Sequence, residues 1–249
     1  MKKLVIIGHK NPDTDSIISA IAAQELFKGL GFEAQAKRAG EANNETRFIL
    51  DDLGIAMPEM VEGLDEGEMA VLVDHNEESQ IAEGLDYGRV SYIIDHHKLS
   101  VKTESPIYCR IEPIGSTSSL LAKMFFENNT EVSQKTAKLL MAGILSDTLN
   151  LTSPTTTAED RIFLEKLNAI AKIDVENFVA EMFKAKSSLE GISVEDIIRI
   201  DYKTFEMGKY NVGVGTWETT LPESVNEKKD EIMQALIKEK EAVKLDYIF

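Results

Sequence analysis

At 249 residues the chain is long enough for one large domain or two ordinary ones, and its 43% apolar content supplies a sizeable core. A formal net charge of −16 disfavours a nucleic-acid partner, although bound cations can reverse the local sign for a small phosphate substrate. The single cysteine, Cys109, excludes a disulfide framework or thiolate cluster and reads as a core or partly buried thiol. No run reaches transmembrane length, and the apolar start is too short for a signal peptide, so a cytoplasmic protein without a membrane partner is expected.

Leu4-Val5-Ile6-Ile7 has the length and β-branching of a buried strand. Gly8-His9-Lys10-Asn11-Pro12-Asp13-Thr14-Asp15 follows, with Asn11-Pro12 breaking regular structure. From Ser16 to Leu30, Ile17, Ile18, Ile21, Ala22, Leu26 and Leu30 recur at helical spacing. The charged stretch therefore sits on a strand-to-helix loop, where open α/β sheets bind ligands. One imidazole and two carboxylates this close repel unless a cation joins them; the plainer alternative is Asp15 as a helix cap with Asp13 solvated.

Further along, Glu33 to Ala39 reads as a strand, Asn44 to Leu53 as a helix capped by Gly54, and Pro58 to Glu68 as a loop. Met69–Val73 and Val90–Ile94 read as buried strands, followed by Asp74-His75-Asn76-Glu77 and Asp95-His96-His97. Strand-then-acid/histidine thus occurs three times, spaced by helix-length segments, as a parallel sheet requires. Gly115-Ser116-Thr117-Ser118-Ser119 opens a helix to Glu127, suiting either a phosphate or plain capping. A helix from Ser133 to Leu145 leads to Ser146-Asp147-Thr148, a fourth carboxylate station, and further helices are predicted over Ala158–Ile170 and Val175–Lys186. After a linker at 187–191 come a helix Val194–Arg199, strands near Tyr202–Glu206 and Asn211–Thr216, a charged helix Val225–Lys240, and a strand beginning at Leu245 on which the sequence stops.

All four histidines lie in these stations, close to aspartates. The nitrogen and oxygen donor set without sulfur favours Mn²⁺, Mg²⁺, Co²⁺ or Zn²⁺. Two such ions about 3.5–4 Å apart, sharing a water, would activate it and neutralise phosphoryl oxygens.

The four stations, Gly8-His9…Asn11-Pro12-Asp13…Asp15, Asp74-His75-Asn76, Asp95-His96-His97 and Ser146-Asp147-Thr148, resemble the motifs of the DHH phosphoesterase superfamily. Val73-Asp74-His75-Asn76-Glu77 with Gly115-Ser116-Thr117 is similar to the family II, manganese-dependent inorganic pyrophosphatases. That resemblance implies an α/β fold: a parallel-sheet DHH domain over 1–186 and a smaller DHHA2-like α/β domain over 192–249 that reads as incomplete. It implies hydrolysis of pyrophosphate to two phosphates by a hydroxide bridging two Mn²⁺, with Co²⁺ or Mg²⁺ as substitutes, additional Mg²⁺ arriving with the substrate, and a homodimer. His9, Asp13 and Asp74 would hold one metal, and Asp15, Asp74, His96 and Asp147 the other. His97, Ser116 and Thr117 would contact substrate; Asp13 is also a candidate proton carrier; Asp95 and His75 would orient ligands.

Two departures stand out. The family's basic Ser-Arg-Lys-Lys run is absent, and Leu189-Glu190-Gly191-Ile192-Ser193 lacks the lysine expected after the linker, with Lys184 and Lys186 as nearby substitutes. On that ground pyrophosphatase activity is expected to be weak or absent if the chain ends at Phe249. An exopolyphosphatase or other DHH phosphoesterase, and a metal-binding but inactive truncated form, are the alternatives.

Overall fold

The computed structural model describes residues 3–189, 191–199, 202–216 and 226–249. The chain divides into two compact units, Met1–Met182 and Phe183–Phe249.

The first unit is built on five parallel strands: β1 (Lys3–Ile7), β2 (Glu33–Lys37), β3 (Glu68–Val73), β4 (Val90–Asp95) and β5 (Tyr108–Ile111). Their order is β2-β1-β3-β4-β5. Val5 to Ile7, Val71 to Val73, Ile93 and Ile94 are completely buried. Strands covered on both faces read as unbroken apolar runs, which is why β1, β3 and β4 stand out in the sequence. One pleat, with Val5, Ile7, Ala70, Leu72 and Ile93, packs under loop residues Val61, Leu64, Ile81, Ala82 and Leu85. The opposite pleat faces helices: Tyr92 of β4 meets Phe27 at 5.1 Å between ring centroids. Phe27 belongs to α1 (Thr14–Gly29), which follows β1; α2 (Asn44–Asp52) follows β2. Downstream lie α3 (Thr117–Glu127), α4 (Gln134–Asp147), α5 (Ala158–Ala171) and α6 (Val175–Lys186). In the sheet order, β1 and β3 are neighbours whose connections leave to opposite sides. That reversal opens a crevice at their carboxyl ends.

In the second unit β6 (Tyr202–Met207) and β7 (Tyr210–Gly215) form an antiparallel hairpin, and β8 (Tyr247–Ile248) pairs parallel to β7. α7 (Val194–Ile197) precedes this sheet, and α8 (Lys229–Ala242) lies between β7 and β8. Glu190 of the expected linker and Val225 at the expected start of the last helix lie outside the described residues.

Three expectations are corrected. The β3–β4 connection carries two short 3-10 turns, Glu78–Gln80 and Tyr87–Arg89, where a helix-length crossover was expected. β5 is an additional strand: four residues at a sheet edge, with Tyr108 and Cys109 exposed, are too short to display alternation. Cys109 is accordingly an exposed thiol, not a core one.

Asp160 in α5 fastens α3 to α5. It is fully buried and accepts from the Gly115 N–H at 3.0 Å, the Ser119 hydroxyl at 2.5 Å, and the Thr157 N–H and hydroxyl at 2.7 Å each. Asp160→Ala would orphan these buried donors and is expected to destabilise the fold by about 2–4 kcal/mol. A lowered midpoint of urea unfolding at unchanged slope checks this.

Candidate metal centre

β1 ends at Ile7, and Gly8 turns the chain so that His9 faces the crevice. A Cβ on Gly8 would lie 2.0 Å from Ser16 Oγ, the group to which the His9 N–H donates at 3.0 Å. Asp13 is the N-cap of α1: its Oδ1 accepts from the Ser16 N–H at 2.9 Å, and its side chain is half exposed. Asp15, for which a helix cap was the plainer alternative, is buried in the first turn of α1. The two acids diverge because a helix starts between them.

Asp15 is held by another helix. Its Oδ2 accepts from the Thr117 N–H at 2.7 Å and its Oδ1 from the Ser118 N–H at 3.2 Å, so the N-terminus of α3 supplies amides and dipole to this carboxylate. Ser116 caps α3 through the Ser119 N–H, and the Thr117 hydroxyl donates to Asp74 Oδ1 at 2.9 Å. Asp74 follows β3, is buried, and adopts a left-handed backbone with φ 63°. Strain of this kind in a non-glycine residue concentrates at functional sites.

The two histidine rings are fixed by backbone carbonyls. His9 Nδ1 lies 2.9 Å from Lys10 O, and His96 Nδ1 lies 2.9 Å from Ile114 O. A carbonyl only accepts, so each Nδ1 carries its proton and each neutral ring presents an Nε2 lone pair. His9 Nε2 lies 3.5 Å from Asp74 Oδ2 and 3.6 Å from Asp13 Oδ1. His96 Nε2 lies 3.5 Å from Asp74 Oδ1 and 3.3 Å from Asp147 Oδ2, and it is buried without a hydrogen bond. Lone pairs thus meet carboxylate oxygens on both sides of Asp74. Only a proton or a cation makes such contacts favourable.

The fourth carboxylate makes the same demand. Asp147 is the last residue of α4, at the negative end of that helix dipole. Burial, with Asp15 and Asp74 nearby, pushes it up to about 9. Burial and Asp74 push Asp15 up to about 7. Burial opposes the charge on His9 and His96, yet Asp13 and Asp74 raise His9 to about 11, and Asp74 raises His96 to about 10. Burial works against Asp74 too, but the two histidines hold it well below the usual carboxylate range. Protons are therefore retained where cations would sit.

Donor atoms of His9, Asp13 and Asp74 lie within 4.8 Å of one another, as do those of Asp15, His96 and Asp147. Asp74 faces both groups with different oxygens. This all-N/O set fits two divalent ions of the Mn²⁺ or Mg²⁺ type.

Residues 3–144 match the DHH family, N-terminal domain, and residues 180–249 match the DHHA2 domain. A probable manganese-dependent inorganic pyrophosphatase from Clostridium acetobutylicum is 42% identical over 231 residues, covering 92% of this chain and 74% of the relative. The chain belongs to the DHH family, in its family II inorganic pyrophosphatase branch. A crystal structure of a candidate family II inorganic pyrophosphatase from Methanococcus jannaschii is 37% identical, with a TM-score of 0.78, covering 98% of this chain and 82% of that one. An exopolyphosphatase-related protein from Bacteroides fragilis shares the fold at 16% identity, with a TM-score of 0.61 over 86% of this chain and 65% of its own.

Asp147 falls beyond the DHH-matched residues, yet α4 delivers it to His96. The remaining expected residues of this DHH chain fall around the two donor groups. His97 is half exposed, its Nδ1 2.9 Å from Asp95 Oδ1, which leaves Nε2 outward. Asp95 is fully buried and also accepts from the His96 N–H at 2.8 Å and from Asn76 Nδ2 at 2.5 Å. His75 is buried with Nδ1 2.9 Å from Val73 O, and burial lowers its pKa. Ser116 and Thr117, expected against substrate, are fully buried with their hydroxyls engaged by Ser119 and Asp74. Gly143 escaped the sequence reading: a Cβ there would sit 2.1 Å from Ser118 Oγ and 2.6 Å from Asp15 Oδ1. A glycine in a helix gives no such signal unless its neighbours are known.

Two outcomes follow from this geometry. Gly143→Ala is expected to lower the affinity for Mn²⁺ at least about 10-fold and to destabilise the fold by about 1–3 kcal/mol, read by calorimetric titration and by melting. The unfolded chain loses the Asp15 and Asp147 protons near the ordinary 3.8 and the histidine protons near 6.5, whereas the folded, metal-free chain keeps them to higher pH. The folded state binds more protons, so metal-free stability should fall as pH rises from about 6 to about 9. Mn²⁺ displaces those protons, so the rise in melting temperature on adding Mn²⁺ should grow over the same range.

Proposed function

We propose that this chain hydrolyses inorganic pyrophosphate to two phosphates at a centre holding two divalent cations, Mn²⁺ by preference. The observation that carries the reading is Asp74, whose two carboxylate oxygens face separate donor groups, each completed by a histidine with its lone pair turned inward. His9, Asp13 and Asp74 would hold one cation, and Asp15, Asp74, His96 and Asp147 the other. When bound, the pair would supply an activated water as nucleophile and neutralise charge on the phosphoryl oxygens, with Mg²⁺ accompanying the substrate.

The chain's own groups do the positioning. Thr117 and the α3 amides hold Asp74 and Asp15 in place from behind the centre, a role that their burial favours over direct contact with substrate. Asp95 fixes the Nδ1–H of His97 and directs Nε2 outward, where it meets a phosphate oxygen. Burial works against ionised Asp95, but His97 and Asn76 keep its carboxyl below the ordinary range, so the proton stays on His97. Asp13, half exposed at the edge of the crevice, is the group best placed to pass a proton to solvent. The family resemblance extends the reading to a cytoplasmic homodimer; the described residues contain no helix long and apolar enough to cross a membrane.

Phosphate release from pyrophosphate, tripolyphosphate and a dinucleotide, in Mn²⁺ and in Mg²⁺ alone, tests this. The expected outcome is release from pyrophosphate in Mn²⁺, lowered at least about 100-fold in Asp74→Asn. Cleavage of tripolyphosphate with pyrophosphate spared would make the chain an exopolyphosphatase, and cleavage of the dinucleotide a phosphodiesterase.

A further inference from the structure

α2 carries none of the four stations, yet its first turn reaches the centre from behind. Glu45 is 1% exposed. Its Oε2 accepts from Thr14 Oγ1 and from Ser146 Oγ, each at 2.7 Å. Thr14 lies between Asp13 and Asp15, and Ser146 immediately precedes Asp147. One carboxylate oxygen therefore ties the start of α1 to the end of α4, the two segments that carry three of the four clustered acids. The tie is itself anchored. Asn43 caps α2, its Oδ1 accepting from the Thr46 N–H at 2.8 Å and the Thr46 hydroxyl at 2.9 Å, and Thr46 Oγ1 lies 3.1 Å from Thr14 Oγ1. Thr14, Thr46 and Ser146 are all buried, so these bonds are shielded from water and hold a defined geometry.

We propose that Glu45 is a positioning residue that sets the separation between Asp15 and Asp147, and with it the shape of the cation position they form with His96. The proposal rests on the two-cation reading above. Asp15 and Asp147 repel each other when both are ionised, and a hydrogen-bonded link between the residues beside them, Thr14 and Ser146, resists that repulsion. A carboxylate accepts and does not donate. Both hydroxyl protons are thereby committed to Glu45, and neither hydroxyl can turn to occupy an oxygen of a neighbouring acid. Those oxygens stay available to a cation.

The test is Mn²⁺ titration of the metal-stripped full chain, followed by calorimetry and by the electron paramagnetic resonance of the Mn²⁺ pair. Glu45→Ala is expected to weaken the second cation about 10–100-fold and to replace the exchange-coupled signal of a pair with that of isolated ions. Glu45→Gln, whose amide oxygen can accept the same two bonds, should restore affinity to within about 3-fold of wild type and recover the coupled signal. Should Glu45→Ala not fold, Ser146→Ala removes one of the two bonds alone and should weaken the second cation about 3–10-fold. Loss of thermal stability with unchanged stoichiometry, affinity and signal in the alanine variants overturns the proposal, as does Glu45→Gln behaving like Glu45→Ala. A wild-type chain that takes up no Mn²⁺ overturns the two-cation reading and this proposal together; a wild type that binds two ions and an indistinguishable Glu45→Ala overturn this proposal alone.

Discussion

Four carboxylates and two imidazole lone pairs converge at the carboxyl end of one parallel sheet, and the surroundings are arranged around holding them together. No such cluster is stable by itself: the acids repel, and burial makes each charge harder to keep. The fold answers in two ways. Fixed dipoles and hydroxyls take up part of the charge, most plainly where the N-terminal amides of α3 receive Asp15 and the Thr117 hydroxyl meets Asp74. The remainder is left for mobile positive charge, protons in the metal-free chain and, on the function proposed, divalent ions.

The sheet order explains why the cluster forms where it does. β1 and β3 are adjacent and deliver His9 and Asp74 side by side, and β4, next to β3, delivers His96. α4 approaches from outside the sheet with Asp147 at its end. That approach is close enough to require Gly143, because a side chain there would collide with Ser118 and Asp15. Asp160 performs the corresponding service at the other side of α3, locking its first turn to α5. The geometry of the cluster thus depends on helix-to-helix spacing as much as on the sheet.

Much of this was legible in the sequence because fully buried parallel strands are written as apolar runs and the polar residues that follow them are conspicuous. β1, β3 and β4 and their histidines stood out for that reason. The parts that were not legible share a physical character. β5 is an edge strand of four residues, half exposed and carrying Arg110, so neither period nor hydropathy marks it. That Asp13 and not Asp15 caps α1 depends on the residue at which the helix begins, a matter of one or two positions that spacing does not resolve. Glu45, Gly143 and Asp160 each sit in helices with unremarkable sequences, and their importance comes wholly from partners up to about a hundred positions away.

The cluster also has a meaning in terms of chain connectivity. Its side chains are drawn from four separated segments between His9 and Asp147, with the long, largely exposed stretch from Leu99 to Pro106 lying between His96 and Asp147. With cations in place, those segments are joined as if by a reversible crosslink, and closing so long a loop in the unfolded chain carries a large entropic penalty. A backbone cut within 99–106 would separate His96 from Asp147 in sequence without separating them in space. The two pieces would share one centre as well as the β4–β5 pairing, and a chelator would remove only the part of the link that the cations supply.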